Sequence, residues 1–520
     1  MKAKLLLSTL FMVAVCFSCN EEILDKENPN EFSTDTYFAN DLQAISAVNA
    51  IYSALQSQQL WTREYFFVHD LLSDEYFGLG SLEAQRVQLL NHSFDSNNSL
   101  VNSVWTGLYR GVHRANVAIA GVEAMEETEI SADLRNRLLG EAKFLRGLFY
   151  FELASLWGDV PLFSEVATAA QATEGVERAS KDQVYNLVIE DLTFASTNLP
   201  LKSEYGGGDT GRATRGAAAA LAGRVHLWRA TYEGLGEPAY RAAEQALEQV
   251  ISSGEYSLVD NYTDNYTAEN ENNSESLFEV QFSTDFGGGG AWSGDGSGTA
   301  EVSFRGQEYG FKAWRNVIPS PALLNAFEAG DPRYALSFYS PGDLYNNGQD
   351  TIYTPVVAPP PARVNATVPD DLPSWRKYQN YYNSDNELFA QSGINHRVIR
   401  YADVLLMMAE VQNALGNQGR AVELLNQVRA RPSVDMPSYP TAAYPVGSPD
   451  QVFDAIVHER RIELNGEQIR NRDIRRWRKA GLLDSEPISD WEPQFELLPI
   501  PNSEIDSNPA LTNDQQNPGY

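Results

Sequence analysis

Carboxylates are the commonest side chains here that could do chemistry, but Asp and Glu together number 70, so paired acids for glycoside hydrolysis can be drawn almost anywhere and single out no position. The chain has six His and neither an HExxH nor a GxSxG pattern. The oxygen-rich stretch GDLYNNGQD (342–350) fails as a calcium loop at its third ligand position, which is Tyr345. GGGDTG (206–211) satisfies G-x-G-x-x-G, yet it follows a helix tail containing Pro200 rather than a strand, so a loop admitting the next helix accounts for it. We therefore expect no catalytic residue, no metal and no cofactor.

Binding chemistry is better represented. Sugars are recognised by flat aromatic faces against C–H-rich ring faces, with amides, carboxylates or Arg for the hydroxyls. Trp on loops is informative. Trp292 lies among glycines that cannot bury it locally, Trp314 follows GFKA, and Trp375 stands in PSWRKY beside Arg376. Trp61, in QQLWTREYFF, follows the first helical pattern, and Asp74 lies a little further on in LLSDEYFG. These six are the candidate ligand-binding residues, with Arg376 as partner of a hydroxyl or carboxylate. The competing expectation for each loop Trp is a buried loop anchor. Trp105, Trp157, Trp228 and Trp477 sit on helical patterns and are expected in the core.

The elements that must position these residues are read from periodicity. Apolar residues recur at helical spacing in pairs of segments, which predicts stacked helical hairpins of tetratricopeptide-like character. The clearest pair is RVIRYADVLLMMAEVQNALGNQGRAVELLNQVRARP, with Gly416 ending its first helix. Similar pairs combine GEAKFLRGLFYFELASLWGDVPLF with SKDQVYNLVIEDLTFASTNLP, and GRATRGAAAALAGRVHLWRATY with PAYRAAEQALEQVISSGEY. An earlier pair joins the helix over 41–56 to that over 99–125. Between 261 and 396 the composition turns to Gly, Asn, Pro and Tyr, which forbids long helices and predicts a loop-rich, ligand-binding insertion on a rigid scaffold. The stretch 458–479 mixes Arg with Glu and Asp at one-turn spacing, so salt-bridged packing explains it better than nucleic-acid binding.

The amino terminus reads as a leader. Leu5 to Phe17 is apolar but too short to span a bilayer, follows Lys2 and Lys4, and stops at Cys19. Residues 1–18 are expected to be a lipoprotein signal peptide cleaved after Ser18, with Cys19 the acylated first mature residue. The alternative is cleavage nearby with Cys19 left as a free thiol. Residues 19–40 then form a polar tether and amino-terminal segment, 41–260 the helical hairpins, 261–396 the insertion, and 397–520 the last hairpin, the charged helices and the tail. Formal net charge is −31, which disfavours nucleic acid and heavily sulfated ligands. With Cys16 removed and Cys19 acylated, no thiol remains for a disulfide, so a core must hold the protein together.

Five segments then carry a resemblance: LDKENPNEFSTDTYF, GEAKFLRGLFYFELASLWGDVPL, RATRGAAAALAGRVHLW, HERRIELNGEQIRNRDIRRW and LLPIPNSEIDSNPALTNDQQNPGY. In this order they resemble the SusD/RagB-like family of outer-membrane lipoproteins over nearly the whole chain. The resemblance implies a mostly helical, tetratricopeptide-like fold with an irregular insertion. It also implies a lipid anchor at the cell surface, and a SusC-like TonB-dependent transporter as partner. The ligand it implies is an oligosaccharide or polysaccharide passed on for import; some members serve peptide uptake instead, and a surface glycoside hydrolase is the less favoured reading. The chain departs from the family pattern at Gln468, where Gly is usual, and at Asn471 and Arg472, where aromatics are usual. Ligand contacts vary within the family, so the resemblance does not fix the site residues.

Overall fold

The structure, a computed structural model, describes residues 37–79, 82–284, 302–352, 372–384 and 392–520. Four helical hairpins form the scaffold. In the first, α1 (Asp41–Leu55) packs on α3 (Ser99–Ala124), with the short α2 (Glu64–Leu71) between them in sequence. The second pairs α4 (Ala132–Trp157) with α5 (Lys181–Asn198), the third α6 (Arg215–Thr231) with α7 (Glu237–Ile251), and the fourth α8 (Tyr401–Ala414) with α9 (Gln418–Arg429). Each hairpin stacks on the next through α3 on α4, α5 on α6 and α7 on α8. The expected tetratricopeptide-like character is therefore present, and the helices fall on the segments whose apolar spacing announced them.

Local chemistry fixes the helix starts. The side chain of Asn98 accepts from the Leu100 and Val101 amides, Ser180 closes a capping box with Gln183, and Thr214 accepts from the Ala217 amide, caps of about 1 kcal/mol each. Close approach of the helices depends on small residues. A methyl group added at Gly111 would lie 2.4 Å from the Phe149 ring, and one at Gly223 would lie 2.5 Å from Leu247. Trp105, Trp157, Trp228 and Trp477 are all buried, as their helical spacing requires.

The loop-rich region leaves the scaffold after α7 and returns to it through a strand pair. Strand β2 (Ser276–Val280) runs antiparallel to β6 (His396–Arg400), which leads directly into α8. Two shorter ladders tie the region down: β1 (Tyr76–Gly78) pairs with β3 (Val317–Pro319), and β4 (Phe338–Tyr339) pairs with β5 (Ser374–Trp375). The first joins segments more than 200 residues apart in sequence.

The charged carboxy-terminal stretch forms α10 (Pro449–Glu463) and α11 (Arg470–Ala480) and acts as a buried clamp. Glu463 is fully buried and takes Arg400 at 2.7 Å, Arg431 at 2.8 Å and Arg333 at 3.1 Å. Glu467 takes Arg400 at 2.8 Å and Lys377 at 2.9 Å. Arg333 and Lys377 belong to the loop-rich region, so the ion pairs fasten it to the scaffold. On the other side Arg460 bridges Asp403 and Asp473, and Arg476 bridges Asp473 and Glu410. Interleaved signs in this stretch are salt-bridged packing, as its spacing suggested. The tail then returns to α4, where the Trp157 indole donates to the Pro499 carbonyl at 2.9 Å. No helix among the described residues is long and apolar enough to cross a membrane.

Candidate functional site

The β1–β3 ladder carries one exposed aromatic ring, and a second lies just beyond its end. In β1, Tyr76 points inward and Phe77 outward, so strand alternation leaves Phe77 43% exposed. Beyond the other end of the ladder, the Leu79 amide donates to the Asn316 carbonyl at 2.9 Å, and Trp314, two residues earlier, is 42% exposed. Few other large apolar side chains among the described residues are this open, and no other is aromatic.

Neighbouring residues explain why Trp314 is held outward. Arg315 adopts φ +47°, turning the chain so that its own side chain runs inward to the Ser374 hydroxyl at 2.8 Å and the Leu372 carbonyl at 2.6 Å. The Trp314 amide donates to the Gln307 carbonyl, and the Asn316 amide to the Glu308 carbonyl. The buried Glu308 carboxylate also receives Arg63 and the Asn316 side chain, joining the turn before α2 to the turn carrying Trp314. Underneath, Asp70 of α2 accepts from the Tyr309 hydroxyl at 2.7 Å and from the Gln468 amide at 2.8 and 2.9 Å. Burial pushes the Asp70 carboxyl up to about 6 despite Arg305 and these donors. Beside the turn, Lys312 donates to the Tyr345 hydroxyl at 3.2 Å, and Phe311, Tyr339, Tyr345 and Tyr381 form an aromatic cluster. Each ring is carried by a hydrogen-bonded frame and can accept the flat apolar face of a ligand at small ordering cost.

The remaining sequence-predicted residues fall elsewhere, and three of them have buried side chains. Trp61 is 2% exposed and stacks on Tyr65 with ring centroids 4.1 Å apart. Trp375 is 1% exposed, stacked on Tyr76 at 4.8 Å and edge-on to Phe338 at 5.3 Å. Gly466, at φ +70°, lies so close that a methyl group there would sit 2.8 Å from the Trp375 ring. Both indoles are interior anchors and present no face. The Asp74 side chain is 6% exposed and bound by Arg470 at 2.8 Å and Arg461 at 2.9 Å. Burial raises its carboxyl, but the two guanidinium groups outweigh that and hold it below the usual range. Arg376 is half-buried over the Tyr339 ring and donates to the Ala335 carbonyl at 3.0 Å. Trp292, Cys19 and the signal segment lie outside the described residues.

Phe77 was missed by reasoning from Trp alone. Its signal is the alternation in EYFG, where a buried ring and an open ring are adjacent. GGGDTG forms a short turn leading to the Thr214 cap of α6, and no strand precedes it. GDLYNNGQD is a small hairpin whose Asn346, Asn347 and Gly348 all take positive φ. Among the described residues no group of three or more His, Cys, Asp or Glu is arranged to hold a metal ion.

Comparison with known proteins agrees over both halves of the chain. A family model described as "SusD family" matches residues 274–520, and one described as "Starch-binding associating with outer membrane" matches residues 22–227. A SusD-like protein of Formosa agariphila is 28% identical over the full length of both chains. Among solved structures, a laminarin-binding SusD-like protein is 27% identical, with TM-score 0.75 over 93% of this chain and all of that one. A SusD homologue of Bacteroides thetaiotaomicron, 22% identical, shares the fold with TM-score 0.76 over 94% of this chain and 98% of its own.

Proposed function

Starting from the fact that this chain is a SusD/RagB-like protein, of a family that binds glycans and associates with the outer membrane, we propose that it captures a neutral glycan at the cell surface and delivers it for import. The lipid on Cys19 anchors it, the polar tether sets it off the bilayer, and a SusC-like TonB-dependent transporter receives the ligand. The observation that carries the reading is the two outward rings, Phe77 and Trp314, on segments tied together by backbone hydrogen bonds. In the loop-rich region Trp292 is proposed to add a further ring, and Arg376 to serve hydroxyls at the margin. Trp61, Asp74 and Trp375 support the site from within.

The net charge of −31 favours uncharged polymers over sulfated ones. Laminarin, bound by a relative of similar fold, is the first ligand to try. Capture needs only a Kd between about 1 mM and 1 μM, roughly 4 to 8 kcal/mol. Binding performs no bond cleavage in this scheme. Affinity electrophoresis of the full chain through gels containing neutral glycans, sulfated glycans or peptide digests tests it. Retardation by a neutral glycan with no shortening of the polymer is expected; retardation by peptides alone, or release of short sugars, contradicts it.

A further inference from the structure

A second site is built where α1, the GGGDTG loop and the end of β2 meet. They enclose an open cleft of ≈ 200 Å³ lined by Asn49, Tyr52, Gln56, Thr210, Arg212 and Gln281. None of these residues belongs to the Phe77–Trp314 face. Positions 49 and 52 of α1 and its C-cap Gln56 fall on one side of the helix and line this cleft.

The lining is fixed before any ligand arrives. The Tyr52 hydroxyl donates to Glu141 at 2.9 Å and accepts from the Ala213 amide at 2.9 Å. Arg212 donates to Glu141 at 3.0 Å, to Asp209 at 2.6 Å and to the side-chain amide oxygen Oδ1 of Asn49 at 3.0 Å. The Gln56 amide donates to the Gln281 carbonyl at 2.7 Å. Gly211, at φ +92°, lets the loop lie against the Gln281 side chain, which an added methyl would meet at 2.6 Å. Charge is balanced: Arg137 and Arg212 face Glu141 and Asp209, and Glu279 pairs with Arg397 at 3.2 Å. A site of this kind attracts neither cations nor anions strongly. It offers amides, a hydroxyl and the edge of a ring, the groups that bind sugar hydroxyls.

We propose that this cleft is a second carbohydrate site, taking one to three units of an uncharged sugar independently of the aromatic face. It rests on the proposed function for the class of ligand and on its own geometry for the place. Amide hydrogen exchange of the full chain in detergent, with and without millimolar laminaritriose, tests it. In the wild type and in Trp314→Ala the sugar should slow exchange within residues 206–212 several-fold. Thr210 is exposed, so Thr210→Trp can fill the cleft without disturbing the core, and should abolish that slowing with the thermal midpoint unchanged. Asn49→Ala, also at an exposed position, should weaken it. Slowing confined to residues 312–317 would overturn the second site and leave the proposed function standing. Slowing at neither place would overturn the second site and remove laminarin as the ligand, and slowing at 206–212 that survives Thr210→Trp would overturn the cleft.

Discussion

Replacing Gln468 by Gly should destabilise the protein at pH 8 and leave it nearly unchanged at pH 5. Gln468 has φ +60°, a left-handed conformation that costs a non-glycine residue about 1–2 kcal/mol, and glycine would relieve it. Against that, the Gln468 amide donates twice to Asp70, which is 1% exposed. Losing donors to a buried charged acceptor costs about 1.5–3 kcal/mol, and the extra backbone freedom of glycine another 0.5–1 kcal/mol. The balance at pH 8 is a loss of about 1–2 kcal/mol. The sign with pH follows from Asp70, whose folded carboxyl is raised by burial from 3.8 to about 6. A raised acid favours the folded state at low pH, so the wild type itself loses about 3 kcal/mol as pH rises from the ordinary value through about 6. At pH 5 the folded Asp70 is mostly protonated, its bonds are neutral and worth about 0.5–1.5 kcal/mol, and the gains and losses of the substitution nearly cancel. Urea unfolding of both proteins at the two pH values measures this. Equal losses at pH 5 and pH 8, or a variant more stable than wild type at pH 8, would refute the reasoning.

Other expectations concern the clamp and the anchor. Arg400→Met leaves Glu463, Glu467 and Glu275 short of a buried partner and should cost about 3–5 kcal/mol in urea unfolding, with faster limited proteolysis of the loop-rich region; an unchanged midpoint would speak against the clamp. Burial raises the Glu467 carboxyl, but Arg400 and Lys377 outweigh it and hold it at about 2, below 4.5. Its contribution, about 3 kcal/mol, is complete above the ordinary value and fades as pH falls towards 2, so Glu467→Gln should flatten the acid limb of the stability curve. An acid limb of the same slope in the variant would disprove that. Cys19→Ala should move the protein out of the membrane fraction, and a variant that still sediments with membranes would remove the lipid anchor from the scheme.

The helical scaffold was legible because apolar spacing and caps are local: Ser180 with Gln183, Thr214 before its helix and Gly416 between two helices all act within a few residues. Opposite charges at one-turn spacing revealed the nature of α10 and α11 for the same reason. The partners of those charges were not legible, since Arg333, Lys377 and Glu275 arrive from a region without periodicity. The fates of Trp61 and Trp375 show the same limit. Trp61 is covered by Tyr65 in the first turn of α2, a contact that QQLWTREYFF suggests only once the helix start is known. Trp375 is buried by Tyr76 and Gly466, about 300 residues before it and about 90 after it, so its loop context gave no hint of enclosure. The exposure of Trp314 was legible because its neighbours are small or charged, and that of Phe77 was not, because a three-residue strand is too short for alternation to stand out.

The most direct test of glycan capture on the Phe77–Trp314 face is calorimetric titration of the full chain with the best-bound neutral glycan, wild type against Trp314→Ala. Trp314 is 42% exposed, which leaves about 100 Å² of ring for a ligand to cover. At about 25 cal/mol per Å² that is at most about 2.5 kcal/mol, a Kd weaker by up to about 70-fold. A loss of ten-fold or more with an unchanged thermal midpoint is the expected result. An unchanged Kd in Trp314→Ala and in Phe77→Ala alike would contradict it.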